Sequence, residues 1–235
     1  MAKPEGTLIY RQRFVTRITH WIWAICLFFL LFSGLQIFNA HPVLHLGLES
    51  GFDYDNALLV TEGVPGALTM PSGQSLATGR VIHFFFAWAL VGTLTVWLIA
   101  SVLNGHIRGL IPTGADLWAL PGDVANHLRL RFHHARDYNV LQKLAYAGVL
   151  FVVLPGIIAT GLTMSPGFNA VAPWLLDVFG GRQTARSLHF GLMLVLVGFF
   201  VVHMVMILAA GPINEIRSIV TGWYRTDWSE DDHAA

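Results

Sequence analysis

Four stretches of this 235-residue chain are apolar for about the length a helix needs to cross a lipid bilayer, and nothing else in the sequence limits the fold so strongly. A hydrocarbon core about 30 Å thick takes roughly 20 residues at a rise of about 1.5 Å each. The runs are Trp21 to Phe38, Ile82 to Leu103, Leu141 to Met164 and Leu188 to Ala210. Each is expected to be helical, because an unpaired backbone group in lipid costs several kcal/mol. The third contains Pro155-Gly156, which a membrane helix tolerates with a local kink, so it counts as one crossing. The predicted fold class is all-α, an integral membrane four-helix bundle, with residues 1–235 as a single membrane domain.

Composition narrows the function. Only 12% of residues are charged, about half the share of a soluble domain. With 14 basic and 14 acidic residues the net charge is zero, so no basic surface for nucleic acid is expected. All the acids lie outside the apolar runs, which argues against a carboxylate-based ion pump. The single cysteine, Cys26, excludes an intrachain disulfide, a four-cysteine iron–sulfur cluster and a C-x-x-C-H haem attachment. No serine-protease-like triad order, Gly-rich phosphate loop or H-E-x-x-H is present. The first run is expected to be retained as a crossing, since Ser33-Gly34-Leu35-Gln36 offers no signal-peptide cleavage site.

Basic residues set the orientation. With four crossings, one side holds Lys3, Arg11, Arg13, Arg17, Arg108, Arg129, Arg131, Arg136, Lys143, Arg217 and Arg225, and the other only Arg80, Arg182 and Arg186. Both termini are therefore expected in the cytoplasm. The outer connection, residues 39–80, is long for a helix link, and the inner one covers 104–140. The mixed apolar and basic stretches 124–132 and 212–228 read as interfacial segments contacting lipid.

The eleven histidines carry the chemistry. His20 opens the first crossing on the inner side and His83 the second on the outer side; His189 and His203 lie near the outer and inner parts of the fourth. They sort by depth into His20 with His203 and His83 with His189. The 14 residues from 189 to 203 make just under four helical turns, so both imidazoles face nearly the same way, about 21 Å apart. One helix thus offers a ligand to each of two stacked cofactors, and paired imidazoles from facing helices are axial ligands of b-type haem. Two haems b are expected in the bundle. Gly34, 14 residues after His20, would give the outer porphyrin room against the first helix. Arg17 and Arg80 read either as partners of haem propionates or as snorkelling anchors. Tyr138, Asn139 and Gln142 could hydrogen-bond a quinone beside the inner haem, or simply cap the third helix. His41 and His45 are expected in an exposed loop, without a third metal ligand.

Arg17-Ile18-Thr19-His20-Trp21, His83 and the His189/His203 pair resemble the bacterial cytochrome b561 and nickel–iron hydrogenase cytochrome b superfamily, over about Tyr10 to Arg225. The resemblance implies a cytochrome b of the bacterial inner membrane, with His20 and His203 on the cytoplasmic-side haem and His83 and His189 on the periplasmic-side haem. It further implies electron exchange between a periplasmic oxidoreductase subunit and quinone. Ser33 to Phe38, Tyr138 to Lys143 and Gly211 to Ile216 resemble members that accompany molybdopterin oxidoreductases of the sulfite-oxidase type. A competing reading is a stand-alone superoxide:quinone oxidoreductase, with Arg80, Arg182 and Arg186 guiding the anion.

Overall fold

The computed structural model describes residues 7–51, 55–128 and 140–226. Four helical spans are long and apolar enough to cross a bilayer: Phe14–Asn39 (α1), Leu76–Leu103 (α2), Val140–Thr163 and Arg182–Ala210. At about 1.5 Å per residue, 24 to 29 residues exceed the hydrocarbon thickness, so the helices run past their apolar runs, mostly at their starts. The most apolar window of Arg182–Ala210 contains no buried residue, which suits a lipid-facing helix.

Between α2 and the third span lie His106–Leu110 (α3) and Gly114–Leu128 (α4). The third span is Val140–Gly148 (α5), a π-helical turn Val149–Val153, and Leu154–Thr163 (α6). The kink expected at Pro155 is taken up by that turn: proline has no N–H to donate back along the helix, and the wider turn absorbs the break. Pro166–Val171 (α7) and Trp174–Val178 (α8) lead into the fourth span, here α9, followed by Pro212–Thr221 (α10).

The chain forms two compact units. One comprises residues 22–51, 55–94 and 149–198. Its core is Cys26 of α1, Leu90 of α2 and Leu154 of α6, with Leu196 of α9 packed against them, so all four spans meet there. Trp23 Nε1 donates to Thr93 Oγ1 at 3.1 Å, and the Phe29 and Phe86 rings stack at 4.2 Å. The outer connection is folded. Asn39 bonds the Val64 amide and carbonyl, each at 2.8 Å, and strand Val43–His45 (β1) pairs antiparallel with Ala57–Val60 (β2). This hairpin is tied to the start of α9: Gln183 N donates to the Gly47 carbonyl, Arg186 to the Val43 carbonyl at 2.7 Å and Ser187 Oγ to the His45 carbonyl at 2.7 Å. The first amides of a helix have no partner within it, and here the loop supplies one.

The other unit comprises residues 7–21, 95–128, 140–148 and 199–226. Strand Leu8–Tyr10 (β3) pairs antiparallel with Trp223–Arg225 (β4). Arg17 donates to the Val220 carbonyl, tying α1 to α10. Lys143 Nζ lies 3.0 Å from Asp116 Oδ1, and Leu141 N donates to Asp123 Oδ2, docking α4 on α5. The interfacial stretch expected at 124–132 thus begins as the last turn of α4, and its remainder lies outside the described residues.

Two outcomes follow. Gly181 has φ of +106°, and a Cβ there would sit 2.5 Å from the Gly47 carbonyl carbon and oxygen. Gly181→Ala is expected to destabilise the chain by at least about 1–3 kcal/mol, read as a lowered melting temperature in detergent, whereas Gly73→Ala, with open space around it, changes nothing. The Thr113 amide, Lys143 and the Thr113 hydroxyl hold the Asp116 carboxyl down to about 2 from 3.8. A depressed value stabilises the fold above the ordinary one, so this contribution is complete above 3.8 and fades as pH falls to about 2. Asp116→Asn should flatten the fall in melting temperature across that window.

Candidate functional site

In the first unit, His83 of α2 and His189 of α9 face each other with ring centres 6.3 Å apart. Their Nδ1 atoms are accounted for. Ser33 Oγ donates to the Phe29 carbonyl at 2.6 Å, which leaves its lone pairs to accept from His83 Nδ1 at 3.1 Å. Thr160 Oγ1 likewise donates to the Gly156 carbonyl at 2.8 Å and lies 3.1 Å from His189 Nδ1. The Ile157 carbonyl, which can only accept, is 2.9 Å from the same Nδ1. Both rings therefore carry their proton on Nδ1 and present Nε2 as a bare lone pair. Two glycines make room for them: a Cβ on Gly34 or on Gly161 would lie 3.3 Å from Cε1 of His83 or His189 respectively.

In the second unit, His20 of α1 and His203 of α9 have ring centres 6.4 Å apart. The Trp21 ring stands edge-on to His20 at 5.4 Å, and Phe199 stacks on His203 at 5.8 Å. His20 Nδ1 is buried and has no hydrogen-bond partner among the described residues.

These pairs fit a shared metal. A metal–imidazole bond of about 2.0 Å puts two rings on opposite sides of one metal with centres about 6 Å apart. Both pairs have that spacing, and ring–ring packing gives no reason for the value to recur. Neutral imidazole on a bundle's inner face is a haem-iron donor set.

The other sequence candidates fall as follows. Gly34 borders the His83 ring, whose Cε1 would lie 3.3 Å from a Cβ placed there. The Arg17 guanidinium lies over Phe14 at 5.9 Å besides its bond to Val220, and exposed Arg80 lies over Phe84 at 5.7 Å. Arg182 donates to the Met164 carbonyl and Arg186 to those of Val43 and His41, so two of the three arginines assigned to guiding an anion are committed to the backbone. Gln142 is half-buried in α5, while Tyr138 and Asn139 lie outside the described residues. His45 departs from expectation: it sits in β1, 1% exposed, its ring stacked on His41 at 5.6 Å. Desolvation, Arg186 and His45 together lower the His41 pKa from its usual value. Sequence reasoning missed Ser33, Thr160 and Gly161. The one available signal was the matching dyads Ser33-Gly34 and Thr160-Gly161 in two different spans.

Residues 11–222 match the family model of prokaryotic cytochrome b561. A putative protein-methionine-sulfoxide reductase subunit, YedZ1, of Azospira oryzae is 28% identical over 198 residues, covering 81% of this chain and 86% of the relative. The cytochrome b556(Fdn) subunit of the nitrate-inducible formate dehydrogenase of Escherichia coli is 22% identical over 233 residues, 97% of this chain and 90% of the relative.

Gly161→Leu is expected to push the His189 ring aside and to lower the haem bound per chain. Haem quantification per purified chain checks this, with Gly148→Leu, where an added Cβ meets nothing, as the control.

Proposed function

We propose that this chain, which belongs to the prokaryotic cytochrome b561 family, is a di-haem b-type cytochrome that carries electrons through the inner membrane between a redox partner and the quinone pool. His20 and His203 hold one haem, and His83 and His189 the other. The observation that carries the reading is the repeated geometry: two histidine pairs on membrane helices, with ring centres 6.4 and 6.3 Å apart. Haem iron, once bound, supplies one-electron chemistry.

The chain's own residues do the rest. Ser33 and Thr160 fix the imidazoles of His83 and His189 in the tautomer that turns Nε2 toward the metal, so no proton need leave the ligand for it to bind. Cys26, Leu90 and Leu154 form the apolar core of the unit that holds that pair, and three of the spans, α1, α2 and α9, carry the four histidines. Arg17 and Arg80 stand on the same helices as His20 and His83, three residues before each, within reach of propionates.

Strands β3 and β4 bring the two ends of the chain together, as an even number of crossings requires. The excess of Lys and Arg on that side assigns it to the cytoplasm, with the His20–His203 haem. The His83–His189 haem then lies toward the periplasm, under the hairpin tied to α9. There the chain meets its partner, a catalytic oxidoreductase subunit, as the relatives' names as subunits of a putative methionine-sulfoxide reductase and of a formate dehydrogenase support. Quinone exchanges electrons near Tyr138, Asn139 and Gln142 on the cytoplasmic side.

Purified protein is expected to show a reduced b-type absorbance spectrum with about two haems per chain. His20→Ala and His203→Ala should each remove one haem, and His83→Ala and His189→Ala the other, with quinone reduction lost in all four. A colourless chain, or one that keeps both haems in any of these variants, would overturn the proposal.

A further inference from the structure

The two histidine pairs differ in one respect that bears on electron flow. Both ligands of one pair donate Nδ1–H to fixed acceptors: His83 to Ser33 Oγ at 3.1 Å, and His189 to Thr160 Oγ1 at 3.1 Å and the Ile157 carbonyl at 2.9 Å. Each hydroxyl is itself locked, because its hydrogen is given to a carbonyl of its own helix: Phe29 at 2.6 Å for Ser33, and Gly156 at 2.8 Å for Thr160. The oxygens therefore present lone pairs to the imidazoles and cannot turn to donate instead. Ser33 and Thr160 are fully buried, so no water competes. In the other pair, His20 Nδ1 is buried with no acceptor among the described residues.

An imidazole whose N–H is drawn toward an acceptor gains electron density at the opposite nitrogen and becomes a stronger donor. A stronger axial donor stabilises ferric over ferrous iron, which lowers the reduction potential. In a low-dielectric interior such a hydrogen bond acts with little screening. We propose that Ser33 and Thr160 are positioning residues that lower the reduction potential of the haem between His83 and His189 below that of the haem between His20 and His203. This rests on the di-haem reading above. One electron leaving the first site and arriving at the second then runs downhill: one iron is oxidised, the other reduced, and neither ligand gains or loses a proton. The slope of transfer is thus written in two hydroxyl groups, and it runs from the His83–His189 site to the His20–His203 site.

The test is a potentiometric titration of the purified, haem-loaded protein, followed by absorbance and by the ferric low-spin electron paramagnetic resonance signal. Two midpoints are expected, and His83→Ala should abolish the lower. Ser33→Ala and Thr160→Val should each raise the lower midpoint and leave the upper in place, the double variant should raise it further, and Thr160→Ser should restore it. Haem per chain is measured in every sample, and the two single variants are read separately, so either one that keeps both haems decides the matter. Two haems with a lower midpoint unmoved by these substitutions, or a lower midpoint abolished by His20→Ala instead of His83→Ala, overturn this assignment and leave the di-haem reading standing. A wild-type chain holding fewer than two haems overturns that reading and this assignment with it.

Discussion

Lipid offers an imidazole no hydrogen-bond partner, so every ring nitrogen of a histidine in a membrane helix must find one within the protein or on a cofactor. This chain places four such rings in its spans. For His83 and His189 the structure answers for Nδ1 with two hydroxyls and a carbonyl. An unsatisfied buried polar group costs about 1–3 kcal/mol, and among the described residues the buried Nδ1 of His20 is such a group. Satisfying the buried imidazoles is thus a requirement of the fold itself.

The first site is built on close approach. Where α6 meets α9, it carries Gly156, Thr160, Gly161 and Thr163; a Cβ on Gly156 would already press on Leu192 at 3.2 Å. Without much apolar driving force between helices in lipid, small residues let backbones come together until dispersion and hydrogen bonds hold them. Only at that range does the Ile157 carbonyl reach His189. α1 uses the same device toward α2, with Ser33 and Gly34 opposite His83. A hydroxyl and a glycine, adjacent in sequence, perform separate tasks: one fixes the proton and the other clears the ring.

Much of this was legible in advance. Hydropathy located all four spans, because an unbroken apolar run has one stable answer in a bilayer, and the 14-residue phase on α9 singled out His189 and His203. The helix starts were not legible: at the start of α9 the polar residues Gln183 and Thr184 give their amides to the Gly47 carbonyl of the hairpin, a partner far away in sequence. The pairing of Leu8–Tyr10 with Trp223–Arg225 joins segments more than two hundred residues apart, and three-residue strands leave no periodicity to read. Ser33 and Thr160 were hidden for a different reason. A hydroxyl in a membrane helix ordinarily bonds the carbonyl one turn back, as both do here, and nothing local reveals that the spare lone pair serves a neighbouring helix.

The hairpin over α9 extends the same logic to the surface. A helix that begins near a membrane boundary exposes free amides, and water there would compete for them. The Gly47 carbonyl takes those of Gln183 and Thr184, Ser187 holds the His45 carbonyl, and Arg186 spans to β1, so the first turns of α9 are pinned from three directions. His189 follows Ser187 by two residues. Fraying at the helix start would therefore travel directly into His189, whose ring is held by the bond to Ile157. His203 sits deep in the same helix, nearly six turns from that end at about 3.6 residues per turn, and needs no such strap. The long outer connection is thus part of the site's support: its backbone carbonyls hold the height of a histidine that it never touches.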